Sequence, residues 1–349
     1  MKTADEIILE IQSQVVFMFS VEQQVKFLQE KKLEYAAHPD IKMIEKACDI
    51  LIGAYMPKDE NEDLIGRLNQ GLNFTNFELD LARRLFLSGK YKEALDISMS
   101  LSQMADERPV TEDDGESVYC FFREEFEKIL YLEVEKQNGC STADRLKETP
   151  FPYYEIYAMS GLCLKEAGMI PEASEEFKKA LHWNPGSADI ISQYVITLFG
   201  MGETMNTWSL LLDNMKYAFR RSVIADCYSH FWYYYMAGGD EEAAVACLFL
   251  STQYIHSEDR ENYLKAMMKE MSLLPSFFTE EKLTELAEKY QFPLNPEKKV
   301  IKLAYEKGIA VIDEDPKSAV YFLRIARDLA PDDQVIKEKL AMAEKKLEG

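Results

Sequence analysis

The chain has 349 residues, 47% hydrophobic and 29% charged, with only 15 Gly and 12 Pro. That composition excludes disordered, collagen-like and disulfide-framework classes and leaves a folded chain longer than one ordinary compact domain. Sixty-one Asp and Glu against 40 Lys and Arg give a formal net charge of −21, which repels phosphate backbones and anionic lipid, so neither nucleic acid nor membrane is expected as a partner.

The amino-terminal MKTADEIILEIQ has no basic stretch followed by an apolar core, and Cys48, Cys120, Cys140, Cys163, Cys227 and Cys247 include no CxxC pair. A reducing, cytoplasmic setting is therefore expected. Thr3 and Glu6 form a capping-box pattern for a first helix, and Asp40 precedes the apolar-periodic IKMIEKACDILIGAY. Residues 1–74 read as a helical region of degenerate repeats or a capping bundle, with a small separate domain also open. From there to the end, apolar residues recur at spacings of three and four, and no stretch sustains period-two alternation. The expected class is all-α.

Residues 75–108 contain Leu85, Gly89, Tyr91 and Ala94. Within 109–153, SVYCFFREEFEKILYLEVEKQ reads as one long helix ending at Asn138 and Gly139. The segment 154–187 then carries Tyr157, Gly161, Leu164, Gly168, Ala173, Phe177, Ala180 and Pro185. Residues 188–221 have Gly202 at a turn but Thr207 and Asn214 where alanines are expected, and 224–257 contain Phe231, Tyr234, Gly238 and Ala243. Glycine precedes alanine by five positions in 75–108, 154–187 and 224–257. Helices are expected near 259–272, before Pro275, and near 279–290, with Thr279 as cap and Pro293 beyond. Ala319, Leu323, Ala326 and Pro331 repeat the spacing of Ala173, Phe177, Ala180 and Pro185, which places a further unit at 300–333. Residues 334–349 set Val335, Ile336, Leu340, Ala343 and Leu347 on one stripe, as a terminal capping helix would.

These intervals resemble the tetratricopeptide repeat (TPR), a helix pair of roughly 34 residues. The match is tightest at 154–187 and extends over 75–333. Tyr157 stands for the usual Trp, and Ser160 replaces the usual Leu before the glycine. Gly161 and Ala173 fall where paired helices come closest, and Pro185 stops the second helix because it has no N–H to donate. The resemblance implies an all-α, right-handed superhelix of antiparallel helix pairs, a helical-repeat solenoid.

Catalytic constellations are absent from the sequence. His38, His182, His230 and His256 have no HExxH spacing and no cysteine at metal-ligand intervals, and no GxxxxGK[ST], GxSxG or helix-opening GxGxxG occurs. Neither an enzyme, a metal nor a cofactor is expected. Cys140 reads as a partly buried structural thiol in preference to a reactive one, and AAVACLFL at 243–250 falls short of the roughly 18 apolar residues of a membrane span.

What the resemblance implies about function is a concave surface, made by the first helix of each pair, that binds a protein or peptide. Its inward positions map onto Leu79, Arg83 and Phe86, then Ala158, Leu162 and Lys165, then Ser192, Ile196 and Phe199, and last Tyr228, Trp232 and Tyr235. Tyr228, Trp232 and Tyr235 suit a groove wall or the core between repeats. Leu79, Ala158 and Leu162 stand where carboxylate-clamping members of the family carry Lys and Asn. A binding scaffold or adaptor is the expected function. A peptide-sensing regulator of the Gram-positive bacterial type is the alternative, although residues 1–74 show no basic recognition helix.

Overall fold

Residues 2–15, 18, 21–55, 64–108, 117–140 and 142–348 are described by a computed structural model. Parts of the expected N-terminal region (56–63) and of the 109–153 interval (109–116) lie outside the described residues. The described chain is helical almost throughout and divides into two compact units, residues 1–112 with 149–176 and residues 113–148 with 177–349.

The first unit contains α1 (Ala4–Val15), α2 (Val21–Glu34), α3 (Ile41–Tyr55), α4 (Leu64–Leu87) and α5 (Tyr91–Glu107). The Thr3 N–H donates to the Glu6 carboxylate at 2.8 Å, and the Glu6 N–H donates to the Thr3 hydroxyl at 3.3 Å. This is the reciprocal capping box expected from the sequence. Ile7, Ile8 and Ile11 bury the inner stripe of α1. On its outer side Asp5 and Glu6 pair with Arg84 and Lys90, each at 2.8 Å, which ties α1 to the end of α4. Since α4 starts at Leu64, the leading helix of the first clear repeat begins before position 75.

After the second unit's first strands and helix the chain returns with α7 (Tyr153–Glu166) and the first half of α8 (Ile170–Trp183), whose residues from Phe177 onward belong to the second unit. α5 packs against both α4 and α7. Ser160 is buried there, and its hydroxyl donates to the Ser98 carbonyl at 2.9 Å. The departure from the usual leucine thus has a partner on the neighbouring helix, so no polar atom is stranded.

The second unit opens with β1 (Val118–Cys120), α6 (Glu125–Gln137) and β2 (Leu146–Glu148). β1 and β2 form a two-stranded parallel ladder with Val118 opposite Leu146. The single long helix expected over 117–137 is therefore shorter. Its first residues are aromatic and β-branched and pair as a strand, and Glu124 is extended (φ −136°, ψ 145°) just before the helix begins. The unit continues with α9 (Ala188–Gly200), a 3-10 turn at Thr204–Thr207, and α10 (Trp208–Tyr217). Next come α11 (Arg221–Gly238), α12 (Glu241–Tyr254), α13 (Glu258–Glu270) and α14 (Glu280–Tyr290). It ends with α15 (Glu297–Val311), α16 (Pro316–Leu329) and α17 (Gln334–Glu348). Thr279 caps α14 through its side chain, accepting from the Lys282 N–H at 3.2 Å. In α17, Ile336, Leu340 and Ala343 are buried, whereas Val335 and Leu347 of the expected stripe are exposed.

One turn recurs and explains the glycine-to-alanine spacing. Gly89, Gly168, Gly202 and Gly239 have φ of 78°, 76°, 78° and 81°. At each, the next residue's N–H reaches back to the residue four before the glycine: Lys90 to Leu85, Met169 to Leu164, Glu203 to Leu198 and Asp240 to Tyr235, all at 2.9 Å. This is the Schellman closure, in which a left-handed residue satisfies the last carbonyls of the helix. An L side chain is strained in that conformation, so glycine is favoured there. Five positions later the second helix presents Ala94, Ala173, Thr207 or Ala244, each fully buried. In the 224–257 repeat the turn glycine is Gly239 rather than Gly238, and the matching alanine is Ala244.

Thr207 and Asn214, the departures in 188–221, are buried polar residues with local partners. The Thr207 hydroxyl donates to the Thr204 carbonyl at 2.7 Å, which suits the 3-10 turn that replaces the first turn of a second helix. The Asn214 amide donates to the Ser192 hydroxyl at 2.8 Å.

The second unit also closes on itself. Phe126 of α6 packs against Phe219 and against Phe322 of α16, with ring centroids 5.3 and 6.1 Å apart. One apolar core runs from α6 through α9–α12 and α14 to α15, α16 and Ile336 of α17, with smaller clusters beside it on α12–α13 and on α16–α17.

Candidate functional site: an exposed aromatic face and a cleft

Half of the expected groove residues lie in each unit. In the first, Leu79 is 1% exposed and belongs to the core, and Ala158 is buried. Arg83 is held by Glu155 at 2.9 Å and Asp80 at 3.1 Å. Phe86 is half-buried and meets Tyr91 edge-on at 5.2 Å. Leu162 and Lys165 are half-buried.

In the second unit, Tyr228 and Tyr235 are core residues, 0% and 3% exposed. Their hydroxyls donate to the carbonyls of Pro293 at 2.9 Å and Tyr290 at 2.6 Å, fastening α11 to the end of α14 and the segment that follows it. Trp232 is half-buried against Tyr263 of α13, centroids 5.7 Å apart. Ser192 is buried beneath its bond from Asn214.

Ile196 and Phe199 have a different setting. They are three residues apart and share one face of α9. Ile196 is 38% exposed, and Phe199 stacks on Tyr233 of α11 with centroids 4.5 Å apart and an interplanar angle of 29°. Tyr233 is itself 45% exposed, and Met236, one turn along, is 42% exposed. Two neighbouring first helices therefore present a joined apolar and aromatic surface. Tyr233 escaped the sequence mapping because a position one residue from Trp232 points to a different side, and only the pairing of α9 with α11 identifies it.

Under this surface His230 is buried and faces Phe199 at 6.1 Å. Among the described residues, its Nδ1 has no hydrogen-bond partner. Burial, with a smaller contribution from the Arg260 charge, lowers its pKa to about 4. The ring is therefore neutral at ordinary pH. Arg260 itself is bound to Asp226, one turn before His230.

A second concavity, a cleft of about 940 Å3, lies between α6, α10, the 293–296 segment and α15. Leu130, Val134, Met215 and Val300 form a buried floor. Leu212, Leu294 and Leu303 above it are half-buried, and lysines and glutamates stand at the rim. Its walls come from segments far apart in the chain, so no local sequence interval marks the site.

Among the described residues, no three His, Cys, Asp or Glu side chains converge as metal ligands, and no helix is long and apolar enough to cross a membrane. Burial pushes the thiols of Cys48, Cys120 and Cys163 up to about 11. Cys140, expected to be partly buried, is exposed just beyond the Gly139 turn that ends α6.

No family model and no curated protein matches the chain. Solved structures do resemble it. A tetratricopeptide repeat protein from Parabacteroides merdae is 12% identical, covering 92% of this chain and 99% of its own, with a TM-score of 0.41. The Rap conjugation gene regulator of plasmid pLS20, solved in complex with the Phr* peptide, is 14% identical over 99% of this chain and 95% of its own, at 0.40. The C-terminal part of a TPR repeat-containing protein from Cytophaga hutchinsonii is 14% identical over 75% and 99%, at 0.30. The helix pairing of the present chain stands on its own backbone, in the recurrent glycine turns and the buried alanines that follow them.

Proposed function

We propose that this chain is a protein- or peptide-binding scaffold, and that a partner docks on the face shared by α9 and α11. The observation that carries this reading is the stacked pair of half-buried Phe199 and exposed Tyr233, flanked by the exposed Ile196 and Met236. A rigid aromatic pair with aliphatic neighbours offers large contact area at low ordering cost, which is how binding hot spots are built. The polar atoms of the neighbouring core tyrosines are internally satisfied, so the face is held by the fold before any partner arrives.

Photo-crosslinking tests the reading. A photoreactive amino acid at Tyr233 should capture a discrete partner in native lysate, whereas the same group at Leu33, an equally apolar but unrelated exposed site, should not. Capture should fall when Ile196→Asp is added, with helical content unchanged. Equal capture at both positions would place the function elsewhere.

A further inference from the structure

The cleft between α6, α10 and α15 is separate from the α9–α11 face and has its own chemistry. Its volume of about 940 Å3 lies toward the upper end of ligand-sized sites, roughly 300–1,000 Å3. Leu212, Leu294 and Leu303 leave apolar surface uncovered inside it.

The rim reverses the charge of the chain. Overall, 61 acidic residues outnumber 40 basic ones, yet the cleft is lined by Lys136, Lys216, Lys299 and Lys302 against Glu133 and Glu306. Lys216 is engaged by Asp213 at 2.7 Å, and Lys302 lies 3.9 Å from Glu306. Among the described residues, Lys136 and Lys299 have no carboxylate partner, and they stand on opposite walls.

Polar residues recur at helical-turn intervals along both walls, Glu133 and Lys136 on α6 and Lys299, Lys302 and Glu306 on α15. A site for one charged headgroup gathers its cations at one end. Charges spread along two walls above an apolar floor suit a ligand that is apolar on one side and polar along its length, the helix-in-groove mode.

We propose that this cleft receives an acidic amphipathic helical segment of a partner protein. Its apolar side rests on Leu212, Leu294 and Leu303, and its carboxylates meet Lys136 and Lys299. Such rim charges act chiefly on selectivity and association rate and are screened by salt.

The test is a fluorescence-anisotropy titration of the full chain with three synthetic helix-forming peptides. One has a leucine face flanked by glutamates, the second has the same face flanked by lysines, and the third is a scrambled acidic peptide with no apolar face. The first should bind, with the other two weaker by about tenfold or more. Its affinity should fall as salt rises. Lys136→Glu combined with Lys299→Glu should reverse the preference between the first two peptides, and Leu303→Asp should abolish binding. Because both lysines are exposed, the charge reversal remains decisive if Leu303→Asp unfolds the unit. Ile196→Asp with Tyr233→Ser should leave this binding unchanged, which separates it from the face proposed above. Equal binding of the scrambled peptide, indifference to the charge reversal, or retention of a fluorescent fatty acid with no peptide bound would each overturn the proposal.

Discussion

Tyr321 of α16 donates a 3.0 Å hydrogen bond to the carboxylate of Glu124, 197 residues earlier in the chain and just before α6. The same carboxylate is held by Arg220, which also binds Asp189 at 2.9 Å. The last regular helix pair is thereby joined to the first helix of its unit, beside the packed rings of Phe126 and Phe322. Tyr321→Phe should cost about 1 kcal/mol in chemical denaturation, the usual net value of one hydrogen bond. Glu124→Ala should cost more, about 1–2 kcal/mol, since it removes one of the two carboxylates of a partly solvated Arg220 and leaves the Tyr321 hydroxyl without its acceptor. The double variant should fall short of the sum, because both changes remove one network.

At Gly308, α15 comes close to α16. A Cβ there would lie 2.7 Å from Leu323 Cγ and 3.3 Å from the Ala319 carbonyl oxygen. Leu323 is fully buried and its Cγ cannot swing aside. Gly308→Ala should therefore destabilise the second unit by about 1–3 kcal/mol. Adding Leu323→Ala should recover part of that loss, and a simple sum of the two costs would show that the clash is not the cause.

The turn glycines make a backbone prediction. At Gly168 nothing lies near the position of a Cβ, so space is not the issue, but φ is +76°. Gly168→Ala should lower stability by about 1 kcal/mol through the left-handed conformation alone. Ala173→Leu, at a fully buried position five residues on, should cost roughly 1–3 kcal/mol by overpacking. Gly168→Asn should be milder than Gly168→Ala, which distinguishes backbone strain from a packing effect.

Buried His230 in the second unit and half-buried Glu78 in the first respond to pH in opposite directions. His230 has its pKa lowered to about 4 by burial, so the unfolded chain binds the extra proton between roughly pH 6.5 and that value. The stability from the neutral ring is complete above about pH 6.5 and lost as pH falls through the folded value, on the order of 3 kcal/mol at most. Glu78 in α4 is raised to about 7 by burial. Its favourable protonated form is lost as pH rises through that value, the reverse direction. Urea midpoints across pH 4–8 should show His230→Leu flattening the acid limb and Glu78→Gln strengthening the protein above pH 7. Unchanged profiles would mean that neither group titrates as its burial requires.

Much of the fold was written in local pattern. Thr3 with Glu6, Thr279, and the glycine-to-alanine spacing of 75–108 and 154–187 each specify a cap or a turn from neighbouring residues, and local backbone chemistry acts wherever such residues occur. Tertiary packing decided the rest. It turned the start of 117–137 into a strand, because Val118–Cys120 found Leu146–Glu148 to pair with. It sent Tyr228 and Tyr235 into the core, where carbonyls at and after the end of α14 accept their hydroxyls, and left the neighbouring Tyr233 exposed against Phe199. Helical periodicity orders residues around an axis, but which side is covered depends on the helix that arrives there. The cleft beside α15 is the extreme case. Its lysines and leucines are ordinary surface and core residues in sequence, and they become one site only where α6, α10 and α15 meet across a separation that no local interval encodes.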